Sequence, residues 1–202
     1  MRTNIIALAG FVGLLAPASA AEIACDGPFA ADSSEARLVE TFGGENVVTG
    51  EVPGPEGSTL IATTVFPGDP QRQMEFGWWD EQAFERLAYV TVPPVDTAPG
   101  GLRVGMSVRE VEALNGGPFE MTGFWWDYGG YAGFEGGELG DIPGGCHVSV
   151  SFQPTADIPG DLDVEPIAGD RTVVSGEPLL ETVDARIASI TVGYPDFSAL
   201  ED

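Results

Sequence analysis

The chain has 202 residues, and among them there is no lysine, a single histidine and only two cysteines. Without lysine there is no phosphate-loop lysine, no Schiff base and no lysine general base. The one histidine, His147, stands in the stretch CHVSVSFQ. Alternation along that strand turns Cys146, Val148, Val150 and Phe152 to one side and His147, Ser149, Ser151 and Gln153 to the other. Cys146 and His147 therefore point apart, and no cysteine–histidine dyad forms between them. Two cysteines and one histidine also fall short of the four ligands of a structural zinc site. Basic residues are scarce: 8 Lys+Arg, all of them arginine, face 32 Asp+Glu for a net charge of -24. Such a surface is a poor partner for nucleic acid or anionic lipid. Long apolar runs are missing too. The longest, from Ile5 to Leu15, is well short of the roughly 20 residues a membrane-spanning helix needs.

That short run has a reading of its own. Arg2, the run itself, the helix-breaking Pro17 and then Ala18-Ser19-Ala20 follow the layout of a secretory signal peptide cleaved after Ala20. The remaining chain, from residue 21, is expected to be exported to the periplasm or beyond, without membrane insertion. A lipoprotein with Cys25 as the acylated residue is the weaker alternative, because Glu22 would lie between the apolar run and the cleavage point. In an oxidising compartment Cys25 and Cys146 are the natural pair for a disulfide, with two separate buried thiols as the alternative. The bond would close a loop of 121 residues, for which the chain-entropy argument gives about 4 to 5 kcal/mol.

What the sequence does contain is self-similarity. SEARLVETFGGENVVTG, starting at Ser34, lies over SVREVEALNGGPFEMTG, starting at Ser107, with Ser, Gly-Gly and Thr-Gly coinciding. Farther on, RLAYVTV (86–92) matches RIASITV (186–192). The larger offset of the second match leaves room for a loop rich in Pro, Gly and Asp at 154–185. The expected organisation is an arm at 21–33, one repeat at 34–95 and a second at 96–202. Each repeat opens on a short helix. In the second, Ser107 and Glu110 form a capping box, Val108, Val111 and Leu114 form the apolar stripe, and Asn115-Gly116 ends it, giving a helix over 108–115. Strands are predicted at 45–52, 59–66, 72–79 and 86–92, then at 119–128, 146–153, 171–175 and 186–193. Helix then strands, twice over, predicts an α+β fold: an antiparallel sheet with one helix-covered face and one open face.

The segment GLRVGMSVREVEALNGGP resembles the G-M-[ST]-x-x-[EQ]-V-x-x-L-x-G-x-P signature that opens domains of the β-lactamase-inhibitor-protein-like superfamily. The matching positions are Gly105, Met106, Ser107, Glu110, Val111, Leu114, Gly116 or Gly117, and Pro118. In this respect the chain is also similar to the small lipoprotein of the outer-membrane barrel assembly machinery. The resemblance implies tandem helix-plus-sheet repeats making a concave sheet that grips another protein. It carries fold more than function, since the matched residues are a helix cap, a core stripe and a turn. The residues by which such an inhibitor plugs an active site have no counterpart here.

No catalytic set, cofactor or metal site is read from the sequence. Asp80 after Trp78-Trp79 and Asp127 after Trp125-Trp126 would suit sugar chemistry or sugar binding, but nothing in the sequence fixes their separation. The acidic stretch DLDVEPIAGD (161–170) lacks the glycine and terminal glutamate of an EF-hand loop. The expected function is a non-catalytic module binding another exported or envelope protein, possible roles being enzyme inhibition and envelope assembly. A carbohydrate-binding or carbohydrate-cleaving protein is the alternative. The expected contact patch is Trp79, Tyr89, Trp126 and Tyr128. Met74, Phe76 and Trp78 are assigned to the core side of their strand, Ala88, Val90, Val92 and Ala188, Ile190, Val192 to the apolar sides of theirs, and Phe124, Trp126 and Tyr128 to one shared face.

Overall fold

The computed structural model describes residues 21–196; the signal-peptide expectation for residues 1–20 lies outside the described residues, as does the end of the second predicted repeat. The architecture is α+β. Helix α1 (Glu35–Phe42) is followed by strands β1 (Val47–Pro53), β2 (Thr59–Val65), β3 (Met74–Asp80) and β4 (Glu85–Thr91). Helix α2 (Val108–Asn115) precedes β5 (Glu120–Thr122), β6 (Tyr131–Gly133), β7 (His147–Pro154), β8 (Thr172–Val174), α3 (Pro178–Thr182) and β9 (Ala185–Gly193). Seven strands make one antiparallel sheet in the order β1-β2-β3-β4-β9-β7-β6, while β5 and β8 pair in a small second sheet.

Both long helices begin where their sequence chemistry says they should. The Ser34 side chain accepts from the Arg37 amide at 3.3 Å and starts α1. At α2 the box is reciprocal: Ser107 Oγ accepts from the Glu110 amide at 3.3 Å, and the Glu110 carboxylate accepts from the Ser107 amide at 2.8 Å. Gly116 ends α2 in the left-handed conformation, which glycine enters without a Cβ clash. Leu38 from α1, and Val108 and Val111 from α2, are buried against one face of the sheet. That face supplies Met74, Phe76 and Trp78 from β3 and Val148, Val150 and Phe152 from β7, all in a single core cluster.

The two similar segments come together at the centre of the sheet. In the β4–β9 ladder Val90 pairs with Val192 and Thr91 with Thr191, so the matched threonines of RLAYVTV and RIASITV stand opposite each other. Around them the ladders of β3 with β4 and of β7 with β9 shift register at comparable places, between Gly77 and Trp78 and between Ser151 and Phe152. Each shift admits one extra residue, Ala88 on β4 and Ala188 on β9. A β-bulge of this kind breaks strict alternation. Leu87 and Val90 on β4, Val92 just after it, and Ile187, Ile190 and Val192 on β9 are consequently buried. Ala88 and Ala188 leave the apolar side on which alternation had put them.

Three further corrections concern segments without strong periodicity. The strand predicted over 119–128 ends at Thr122 and gives way to turns, and Phe124 is buried at 2 % rather than sharing a face with the exposed Tyr128. The glycine-rich stretch after it holds the edge strand β6, which the sequence did not reveal. The long connection at 154–185 is not bare loop: it contains α3 as well as β8, and β8 holds β5 away from the main sheet.

Candidate binding surface

The face of the sheet opposite the helices carries Glu75, Gly77 and Trp79 from β3, with Tyr89 next to Gly77 in the ladder. Tyr89 is half-buried, and its hydroxyl donates to Glu75 Oε1 at 2.8 Å. Its ring lies across Gly77, where a Cβ would meet Tyr89 Cδ1 at 2.6 Å. Burial, reinforced by the neighbouring Glu75 carboxylate, raises the Tyr89 hydroxyl well above the ordinary tyrosine pKa. Trp79 points outward with 42 % of its surface exposed, while its indole N–H donates to the Tyr194 carbonyl at 3.0 Å. An exposed ring fixed by its polar atom offers contact area with little rotamer entropy left to lose.

Trp126 and Tyr128 lie on the loop between β5 and β6. Their rings meet edge to face with centroids 5.4 Å apart. Trp126 is half-buried and donates to the Gly123 carbonyl at 2.9 Å; Tyr128 is exposed and donates to Glu56 Oε1 at 3.3 Å. The Glu56 charge is also the main cause that raises the Tyr128 pKa. Among the described residues Trp126 and Tyr128 are the only two of the four predicted residues joined by a ring contact.

The Tyr128–Glu56 contact links the two edges of the sheet. Glu56 sits in the turn between β1 and β2, and Tyr128 just ahead of β6, at the two opposite edges. Six inter-strand steps of about 4.8 Å would set those edges about 29 Å apart in a flat sheet. The contact therefore requires loops that reach toward each other from the two edges. Ala62 on β2 is fully buried although it stands outside the core cluster.

Sequence reasoning passed over Trp125. It is the most exposed of the described tryptophans at 52 %, and its φ of +64° lies in the left-handed region that bulky residues avoid. The ring leans edge to face on the buried Phe124 at 5.7 Å. Alternation could not have found it, because the segment is a turn rather than a strand.

One candidate acid of the sequence, Asp80, is tied into a turn. The Asp80 carboxylate accepts from the amides of Gln82 and Ala83 and closes the β3–β4 turn. Among the described residues no three His, Cys, Asp or Glu side chains gather as a metal-binding group, and no helix is long and apolar enough to cross a membrane. Cys25 and Cys146 stand with Cα atoms 5.8 Å apart, within the span of a disulfide. This fold and surface define a small α+β protein with a seven-stranded antiparallel sheet and exposed aromatic side chains. In comparisons with known proteins, no family model, no curated protein and no solved structure matches the chain.

Proposed function

We propose that the chain is an exported, non-catalytic module that binds another exported or envelope protein through its exposed aromatic residues. The observation that carries this reading is the display of Trp79, Trp125 and Tyr128, each at least 42 % exposed and each braced by a hydrogen bond or a ring contact. Tryptophan and tyrosine are the side chains most often found at the energetic centre of protein interfaces. Backbone strain at Trp125, where φ is +64°, is of the kind that persists where it displays a functional side chain. Export is supported by the leader-like first 20 residues and by the Cys25–Cys146 pair. The similarity of GMSVREVEALNGGP to the β-lactamase-inhibitor-protein-like signature points the same way, with a concave sheet as the gripping surface.

The test is capture from an extract of exported proteins, using the mature chain and its Trp79→Ala and Trp125→Ala variants. The same captured protein should be lost from both variants while their melting temperatures stay within a few degrees of the parent. Undiminished capture by both variants would overturn the proposal. Saturable binding on a glycan array that disappears with Trp125→Ala would put the carbohydrate reading in its place.

A further inference from the structure

At the β6 edge of the sheet a cleft of about 770 Å³ opens between the end of α2 and the segment that follows β6. Phe119, Glu120, Tyr131, Phe134, Glu135 and His147 line it. Its volume is in the range of small-molecule sites, roughly 300 to 1,000 Å³. Every charged group on its wall is acidic. The carboxylates of Glu120 and Glu135 have no ion-pair or hydrogen-bond partner among the described residues. No arginine lines the cleft. Arg37, Arg86, Arg109, Arg171 and Arg186 are paired with carboxylates elsewhere, and Arg72 lies over Phe66.

Two independent features reinforce that sign. Helix α2 ends at Asn115, and Asn115, Gly116 and Gly117 form part of the wall, so the negative end of the helix dipole lies at the cleft. The aromatic lining contributes as well. Phe119 and Phe134 meet edge to face at 5.3 Å, and Tyr131, 48 % exposed, extends its ring along Gly133. The faces of such rings attract cations, and their bodies receive apolar groups. A bare metal ion is a poor occupant, because among the described residues no three His, Cys, Asp or Glu side chains converge.

We propose that this cleft binds an organic cation, an ammonium or guanidinium group carried on an apolar or aromatic body. The carboxylates of Glu120 and Glu135 meet the charge, and Tyr131 and Phe134 cover the body. This inference does not depend on the aromatic surface described above, which involves other residues. The cation can be a free amine or the side chain of a basic peptide, and the experiment separates these sources.

The full exported chain is titrated calorimetrically with phenethylamine, with arginine amide and with an arginine-rich nonapeptide, beside a neutral amide of similar size. Saturable one-to-one binding of at least one cationic probe and none of the neutral one is expected. Because the whole molecule is strongly acidic, diffuse attraction is controlled by matched charge. Glu120→Gln with Glu135→Gln should weaken binding about tenfold or more, the loss of charge-assisted contacts. Glu45→Gln with Glu51→Gln removes the same charge from the β1 side and should change it less than about twofold. If the cleft pair loses its melting transition, the exposed Tyr131→Ala is read instead, with a loss of about threefold or more. Saturation by the small amines assigns a free organic cation, and saturation by the peptide alone assigns a presented side chain. Equal weakening in both charge-matched pairs, or no saturation by any cationic probe, overturns the proposal.

Discussion

Gly77 shows how one side chain's absence sets the place of another. The Tyr89 ring occupies the space where a Cβ on residue 77 would stand, within 2.6 to 2.7 Å of Cδ1 and Cζ. Gly77→Ala must push that ring away and with it the 2.8 Å hydrogen bond to Glu75. Overpacking of this kind costs about 1 to 3 kcal/mol, so thermal melting of Gly77→Ala should fall by several degrees. Gly50 on β1 is the control, since a Cβ there meets nothing within 4 Å. Gly50→Ala should melt at or slightly above the parent temperature, because alanine restricts the unfolded chain at a position where the native backbone accepts it. A Gly77→Ala protein as stable as Gly50→Ala would show that the Tyr89 ring is not held over the strand.

At the scale of the element, α2 tests whether the Gly-Met-Ser motif acts as scaffold. Ser107→Ala removes the acceptor of the Glu110 amide and should cost roughly 1 kcal/mol without changing partner capture. The cap also makes stability pH-dependent. Hydrogen bonds from the Ser107 amide, and then from its hydroxyl, hold the Glu110 carboxyl below its ordinary value of 4.5. A carboxylate with a depressed folded pKa contributes stability above its unfolded pKa and loses it as the pH falls through the folded one. Urea unfolding from pH 7 down to pH 3 should therefore show the difference between the parent and Glu110→Gln present above about 4.5 and shrinking below it. A difference independent of pH would mean that the charge of Glu110 plays no part in the cap. The sequence made this element legible, since cap, stripe and stop all fall within ten residues, Ser107 to Gly116. β6 has only three residues and follows two glycines, too short a stretch for a period to be read. The aromatic turn after Thr122 was misread for a related reason: apolar residues in a turn imitate alternation, and only the tertiary contacts of Phe124 show which way each one points.

For the whole molecule, the pairing of Cys25 with Cys146 matters most. It ties the N-terminal arm to the head of β7 across a sequence separation of 121 residues. Titration of the unfolded, unreduced exported protein should find no free thiol, and two per chain would refute the bond. Replacing both cysteines by serine should lower stability by about 2 to 5 kcal/mol, measured by urea unfolding, while leaving the α+β far-ultraviolet signature in place. The unmodified sheet has its own centre, where Thr91 meets Thr191, so the arm and the disulfide brace a ladder that is already continuous from β3 to β7.

The sequence by itself determined the α+β class, the presence of both long helices with the bounds of the second at 108–115, and the strands whose apolar residues alternate without interruption. It did so because caps, stripes and alternation are local properties, each decided by neighbours within a few positions. It also placed Trp79 outside and Met74, Phe76 and Trp78 within, from the parity of one strand. Only the tertiary structure decided the strand order, the bulges at Ala88 and Ala188, the half-burial of Tyr89 and Trp126, and the exposure of Trp125. It alone joined Phe119, Tyr131, Phe134 and His147 around one cleft, from three separate segments of the chain. These depend on which distant segments meet, and a one-residue bulge reverses the parity on which a face is read. Burial of a ring depends on what covers it, and the cover comes from a part of the chain that the ring's own neighbours in sequence do not specify.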